Sequence, residues 1–195
     1  MDDFNIKIEY KHVPRFDSGS DESIDYLERE GYVIIKNALT ANEASKTLDL
    51  LWDYLENLGT GIDRTNPMTW SDDKWPTCAH GGIIPSYGIG HSEAQWFVRG
   101  VPNVKKAFAK VWGTNDLLTS FDGVSLWRPW NIDPSWKTQS GQAWFHIDQH
   151  PISKPGKQCI QGLINLLPTS KEIGGNVVIP KSHNFFKDLP EEYKE

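Results

Sequence analysis

The apolar residues of this chain change their spacing near Leu117, and the change limits the folds that the chain can adopt. Before this point, apolar residues recur at helical spacing over 44–55 and 104–112, which is typical of helices with one buried face. After it, the apolar segments are short and separated by Pro and Gly, which is typical of strands. Helices followed by strands predict an α+β domain, with helices packed outside a mainly antiparallel sheet or barrel. The strand-like segments are 124–127, 142–149, 159–166 and 176–179.

The ends of three helices are marked in the sequence. Thr40 with Glu43 three residues later forms a capping box, so a helix is predicted from there to residue 58. Two further helices are predicted over 22–30 and 103–112. A glycine follows each of the three and is expected to end it.

The 195-residue length suits one domain with its own core. Residues 1–20 mix charges with Pro14 and a Ser/Gly/Asp cluster, which predicts a flexible arm, and 21–195 is predicted to form a single domain. The stretch 60–91 is rich in Gly, Pro and Trp and is longer than most connections. It is expected to form either a pocket wall or a surface loop held by its tryptophans.

The charges exclude some classes of partner. The net charge is −6 and the basic residues are scattered, so nucleic acid is not an expected partner.

No apolar run reaches the roughly 20 residues of a membrane span, and no secretory signal is visible, so a cytoplasmic protein is expected. Cys78 and Cys159 are expected to be buried free thiols.

A candidate metal site lies in the segment 142–149. Side chains of a strand alternate between its faces, so Trp144, His146 and Asp148 share one face, together with Gln142. The Cα atoms of His146 and Asp148 would be roughly 7 Å apart in a strand, which lets an imidazole and a carboxylate bind the same ion. His-x-Asp alone is common by chance, and on spacing alone it favours a surface pair or one buried hydrogen-bonded pair over a metal site.

The next strand-like segment, 159–166, repeats this polarity. Gln161 and Asn165 share one face, and apolar residues occupy the other. A barrel covered by helices buries its outward apolar side chains, which leaves polar side chains to hold a ligand or cofactor inside. We therefore expect Gln161 and Asn165 to lie near a cofactor or substrate.

Four segments together resemble the phytanoyl-CoA dioxygenase-like branch of the iron(II)- and 2-oxoglutarate-dependent oxygenases. The resemblance covers most of the chain after residue 20, with the segments in the order and approximate spacing of the family. They are Glu30-Gly-Tyr-Val-Ile-Ile-Lys36, Trp144-Phe-His-Ile-Asp-Gln149, Gln161-Gly-Leu-Ile-Asn-Leu166 and Gly174-Gly-Asn-Val-Val-Ile-Pro-Lys-Ser-His183.

The resemblance implies a double-stranded β-helix, the jelly-roll type of barrel. It implies that His146 and Asp148 are two ligands of a two-His, one-carboxylate iron(II) site, whose open positions take 2-oxoglutarate and oxygen. The implied activity is hydroxylation of a small organic substrate. Related halogenases lack the carboxylate ligand, so the presence of Asp148 favours hydroxylation over halogenation.

The chain departs from the family pattern after His183. The family's second iron-binding His, and an Arg that pairs with 2-oxoglutarate, lie farther along than this segment, and neither is present before Glu195. His183 is a candidate to replace the missing third ligand, although the resemblance implies that a Ser-His at this place ends a strand and caps a loop instead. We expect an incomplete barrel that self-associates through its open sheet edge, and we assign the enzymatic activity to a longer protein.

Other interpretations stay open at this point. Arg128 is a candidate for binding a carboxylate of 2-oxoglutarate or substrate through a bidentate pair, or else a surface residue beside Trp. Trp144 either walls the cofactor pocket or belongs to the core. The alternatives to an oxygenase are a catalytically inactive jelly-roll binding module that has lost its third metal ligand, and a zinc-dependent cupin-like enzyme.

Overall fold

The computed structural model describes residue 9 and residues 11–137, 146–150, 153–170, 172–173 and 175–188. Trp144 and the other residues of 138–145 lie outside this range. The chain divides into two units, which we call unit A and unit B. Unit A comprises Met1–Ala38, Lys106–Thr114 and Ile147–Glu195, and unit B comprises Leu39–Lys105 and Asn115–His146.

Helix α1, Asp21–Glu30, belongs to unit A and ends where the sequence predicts. Its N-cap is Ser20, whose Oγ accepts a hydrogen bond from the Ser23 N–H at 3.2 Å. Gly31 follows the helix in the left-handed region, at φ 81°, and its N–H donates to the Leu27 carbonyl at 2.8 Å. Glycine adopts this conformation without steric strain because it has no Cβ, which explains why the helix ends here.

The β-rich run after α1 forms one bridge in unit A. Phe16 pairs with Ile35 in parallel orientation: the Phe16 N–H donates to the Ile34 carbonyl, and the Lys36 N–H donates to the Phe16 carbonyl, both at 2.9 Å. Phe16 is part of the arm predicted over 1–20, so its backbone hydrogen bonds attach that end of the arm to the domain.

Helix α2, Ala41–Glu56, belongs to unit B and begins at the predicted capping box. Thr40 Oγ1 accepts from the Glu43 N–H at 3.2 Å, and the Glu43 carboxylate accepts from the Thr40 N–H at 2.8 Å. These hydrogen bonds from Thr40 hold the pKa of the Glu43 carboxyl below its usual value. The helix buries Leu51 and Leu55 on one face, as the apolar spacing predicts.

Substituting Thr40 with alanine is expected to lower the free energy of unfolding by about 1 kcal/mol, because the substitution leaves the Glu43 N–H at the start of α2 without its side-chain acceptor. Urea denaturation measures the change. Thr40→Ser keeps the accepting oxygen and is the matched control. Equal stability of the alanine and serine variants would show that the cap contributes nothing.

The core of unit B includes residues of the segment 60–91, which was predicted to form a pocket wall or a surface loop. Four of its buried apolar residues come from 60–91 and pack around Leu55 of α2. Trp52 and Trp70 lie with ring centroids 5.1 Å apart, and Trp75 lies 6.2 Å from Trp52. The tryptophans therefore anchor this segment, but by burial rather than at the surface. The four core residues are Ile62, Trp75, Ile84 and Ile89.

A two-stranded antiparallel sheet joins two parts of unit B. Strand β1, Ile83–Ile84, pairs with β2, Val124–Ser125, with Ile84 opposite Val124. The strand predicted over 124–127 is thus present for its first two residues. Gly123 precedes β2, and a Cβ atom there would lie 2.3 Å from the Ile84 carbonyl oxygen. The close approach of the two backbones requires glycine.

Two helices lie between the two strands in sequence. Helix α3, Glu93–Gly100, packs on α2 in unit B. Its N-cap is Ser92, whose side chain accepts from the Gln95 N–H at 3.3 Å. Helix α4, Pro102–Trp112, matches the predicted helix. None of the helices in the described part of the chain is both long and apolar enough to cross a membrane.

The segments 159–166 and 176–179 are described, and neither is paired in a sheet. A strand is defined by ladder hydrogen bonds to a neighbour, and the apolar pattern alone does not supply them. Exposed apolar side chains line these segments, Leu163 and Ile179 among them. The double-stranded β-helix stays a prediction.

Candidate functional site

Asp148 and Gln161 are brought together in unit A. The Gln161 Nε2 donates to Oδ2 of the Asp148 carboxylate. Both residues are exposed, so the carboxylate is accessible from solvent. The sequence places these two residues on neighbouring strands, and the structure joins them without a strand ladder.

The Gln149 side chain closes the connection between these two residues. Its Nε2 donates to the carbonyl oxygens of Lys154 and Gly156, both at 2.5 Å. Its Oε1 accepts from the Gln158 N–H at 3.3 Å. The Gln149 amide therefore binds three backbone positions of the connection, and these hydrogen bonds hold the connection close to the residue after Asp148.

His150, which follows Gln149, makes a local turn. Its backbone carbonyl accepts from the Lys154 N–H at 3.0 Å, and its Nδ1 accepts from the Ser153 N–H at 3.1 Å. The Nδ1 atom of the ring is thus used by the backbone of the turn.

His183, the candidate third ligand, lies at the end of α1 in unit A. Its Nε2 donates to the Glu28 carbonyl at 3.0 Å, and the Lys181 N–H donates to the Glu30 carbonyl at 2.8 Å. A Cβ on Gly31 would lie 2.3 Å from His183 Nδ1, so the imidazole needs the glycine beside it. These bonds satisfy carbonyls that a helix end leaves without partners. The role of His183 as a metal ligand stays a prediction.

Arg128 belongs to unit B, where its side chain is 12% exposed. It donates to the Trp70 carbonyl at 2.6 Å and to Oδ1 of Asp72 at 2.5 Å. Its guanidinium lies over the rings of Trp75 and Trp136, at 5.5 and 4.7 Å from their centroids. Aromatic faces attract a guanidinium, so this residue is held in place by its surroundings. Its binding of a cofactor carboxylate stays a prediction.

The cysteines were expected to be buried, and this is wrong for Cys159. Both thiols are free, but Cys159 is exposed and Cys78 is half-buried. Burial raises the pKa of the Cys78 thiol, while the positive charge of Arg128 acts in the opposite direction. Cys159 lies in the unpaired segment 159–166, which explains its exposure.

For the remaining predicted site residues within the described part of the chain, the structure gives exposure but no contact that defines a site. His146 ends unit B and is exposed, as is Asn165 in unit A. Trp144 is outside the described residues. Within the described ranges, no three His, Cys, Asp or Glu side chains gather in a way that could hold a metal ion.

The donor chemistry of His146 and Asp148 fits two positions of a non-haem iron site. Iron(II) oxygenases of the facial-triad type use imidazole and carboxylate ligands, and these are the groups that the two residues carry. Asp148 already accepts a hydrogen bond from a neighbouring amide, as metal-binding carboxylates commonly do. An imidazole and a carboxylate are thus the donor types present, and iron binding by His146 and Asp148 stays a prediction.

Comparisons with known proteins give two relatives. The chain is 33% identical over 183 residues to the Ava biosynthesis cluster protein O of Aspergillus versicolor, covering 94% of this chain and 56% of that protein. It is 26% identical over 200 residues to a Dictyostelium discoideum protein named "Putative phytanoyl-CoA dioxygenase", covering 84% of this chain and 56% of that protein. No protein-family model matches the chain. No solved structure matches it either.

The chain spans about half the length of the curated relatives it matches. The second of them is a distant homologue that carries the name of the family that the sequence resembles. The likeness to a dioxygenase therefore comes from one distant relative. The relative at higher identity is named only as a biosynthesis cluster protein.

Proposed function

We propose that this chain is part of an iron(II)- and 2-oxoglutarate-dependent dioxygenase that hydroxylates a small organic substrate. His146 and Asp148 are two of the iron ligands. The observation that carries the proposal is the accessible Asp148 carboxylate, hydrogen-bonded by Gln161 and two residues from His146. The dioxygenase name of one distant relative supports it.

The chain's residues have distinct proposed tasks. When bound, iron(II) with 2-oxoglutarate and oxygen supplies the oxidising power for the hydroxylation. The neutral imidazole of His146 and the carboxylate of Asp148 hold the metal. Arg128 pairs with a carboxylate of 2-oxoglutarate or substrate, in place of Asp72. Asn165 lies beside the cofactor.

The proposal extends to the fold and to assembly. We infer a double-stranded β-helix in which the segments 159–166 and 176–179 are strands. Their exposed apolar side chains then face further strands of the whole protein, or of a second copy that pairs along the open edge. A third metal ligand comes from His183 or from that further part.

The metal assignment predicts that Asp148→Ala loses iron binding. Anaerobic addition of iron(II) and 2-oxoglutarate to the wild-type chain is expected to give an absorption change that saturates with one metal per chain. The Asp148→Ala variant is expected to lose it, because one of the protein ligands is gone. The change in absorbance on titration measures the effect.

Asp25→Ala is the matched control, since Asp25 is an exposed aspartate in α1 and is not one of the proposed ligands. Full metal binding by Asp148→Ala would contradict the proposed function. A folded wild-type chain that binds no iron would instead favour the non-catalytic binding module. Zinc binding without any dependence on 2-oxoglutarate would favour the cupin-like enzyme.

A further inference from the structure

We infer that Gln161 is a positioning residue that orients the Asp148 carboxylate, rather than a residue that contacts the cofactor. The inference rests on the proposed function, since it assigns a role beside an iron ligand. The two residues are 13 positions apart in sequence, and their side chains meet directly in unit A.

The chemistry of the pair fixes the direction of the hydrogen bond. An ionised carboxylate only accepts hydrogen bonds, so the amide must turn its Nε2 and not its Oε1 toward Asp148. The two oxygens of a carboxylate offer about four lone-pair sites. Accepting an N–H from Gln161 is therefore compatible with binding a metal at the same time.

The connection between the two residues is constructed to keep them together. The Gln149 side chain bonds to the backbone of Lys154, Gly156 and Gln158, so three later positions of the connection are tied to one side chain. These hydrogen bonds begin at the residue after Asp148 and end three residues before Gln161. The proximity of the pair follows from this local network and does not depend on a strand ladder.

An oriented carboxylate binds a metal more tightly than one that must be ordered on binding. Hydrogen-bond partners of metal ligands fix the ligand's direction, and removing such a partner usually weakens metal affinity about 10–100-fold. Gln161 is placed to orient Asp148 in this way. Because its amide is used in the hydrogen bond to Asp148, we expect the main effect of Gln161 to be on metal affinity.

Gln161→Leu tests the role, because it removes the donor and keeps much of the side-chain volume. Anaerobic titration of the 195-residue chain with cobalt(II), followed by visible absorption, is expected to show affinity weakened about 10–100-fold. Gln158→Leu is the matched control. It removes the same kind of side chain three residues away, including a hydrogen bond to the Pro155 carbonyl at 2.9 Å, and is expected to bind cobalt(II) as the wild type does.

A second measurement needs no metal. In the metal-free chain, the side-chain amide signals of Gln161 in ¹H–¹⁵N spectra are expected to shift in Asp148→Ala, while those of Gln158 stay in place. Unmoved Gln161 signals would overturn the inferred contact.

The outcomes separate the two proposals. Wild-type cobalt(II) affinity in Gln161→Leu, together with lost binding in Asp148→Ala, would overturn the positioning role alone. Full cobalt(II) binding by Asp148→Ala, or none by the wild-type chain, would overturn the proposed function and the role that rests on it. Equal weakening in Gln158→Leu would show that the loop as a whole, and not the Gln161 amide, controls affinity.

Discussion

Leu55→Ala is expected to lower the free energy of unfolding by about 2–5 kcal/mol, the usual cost of emptying a fully buried leucine site. The Leu55 side chain is 2% exposed. It packs in the core cluster with Trp75, Ile84 and Ile89, which come from three different parts of the segment 60–91. The loss should therefore affect the attachment of that whole segment to α2. Urea denaturation followed by tryptophan fluorescence measures it.

Leu118→Ala is the control for this substitution, because Leu118 is fully exposed in unit B. Its stability is expected to stay within about 0.5 kcal/mol of the wild type. Similar losses in the two leucine variants would contradict the packing of Leu55 against the segment 60–91.

Gly123→Ala is expected to be the second strongly destabilising change, at about 1–3 kcal/mol. A Cβ at this position would meet the Ile84 carbonyl oxygen at 2.3 Å, the Ile84 carbonyl carbon at 3.0 Å and the Pro85 Cα at 3.1 Å. All three atoms are backbone, so no side chain can turn aside, and β1 and β2 must move apart. Thermal unfolding and urea denaturation both report the loss.

The control is Gly100→Ala at the end of α3, where a Cβ would meet nothing within 4 Å. Its backbone is not in the left-handed region, so alanine is expected to be neutral or slightly stabilising, by up to about 1 kcal/mol. If Gly123→Ala matched Gly100→Ala, the close approach of the two strands would be disproved.

The start of α2 and the end of α1 were predictable because short-range chemistry sets them, whereas α2 ends at Glu56, two residues before its predicted end. The hydrogen bonds of the capping box join Thr40 to Glu43, and the end of α1 depends on Gly31 and the four residues before it. Such contacts need only the local sequence.

Helix α3 was not predicted, although a signal for it is present. Ser92 with Gln95 three residues later is the same kind of capping signature as at Thr40. The predicted loop ended at residue 91, and no element was predicted over 92–101. The core residues of 60–91 gave no signal, because they are isolated among Gly, Pro and Trp and follow no period.

The candidate site was predictable only in part. Alternation of polar residues indicated that Asp148 and Gln161 lie near each other, and their hydrogen bond agrees with this. The interactions that bring Asp148 and Gln161 together were not predictable. The hydrogen bonds of Gln149 to three backbone groups depend on the path of the turn. The position of His183 against Gly31 likewise depends on a contact between distant parts of the chain.

That contact between His183 and the end of α1 bears on the order of folding. The hydrogen bond from the imidazole to the Glu28 carbonyl joins residues 155 positions apart. Closing a loop of that length costs about 4–5 kcal/mol in chain entropy, more than one such bond returns. The Glu28 carbonyl is therefore expected to gain this partner late, after shorter-range contacts have brought the two segments near each other.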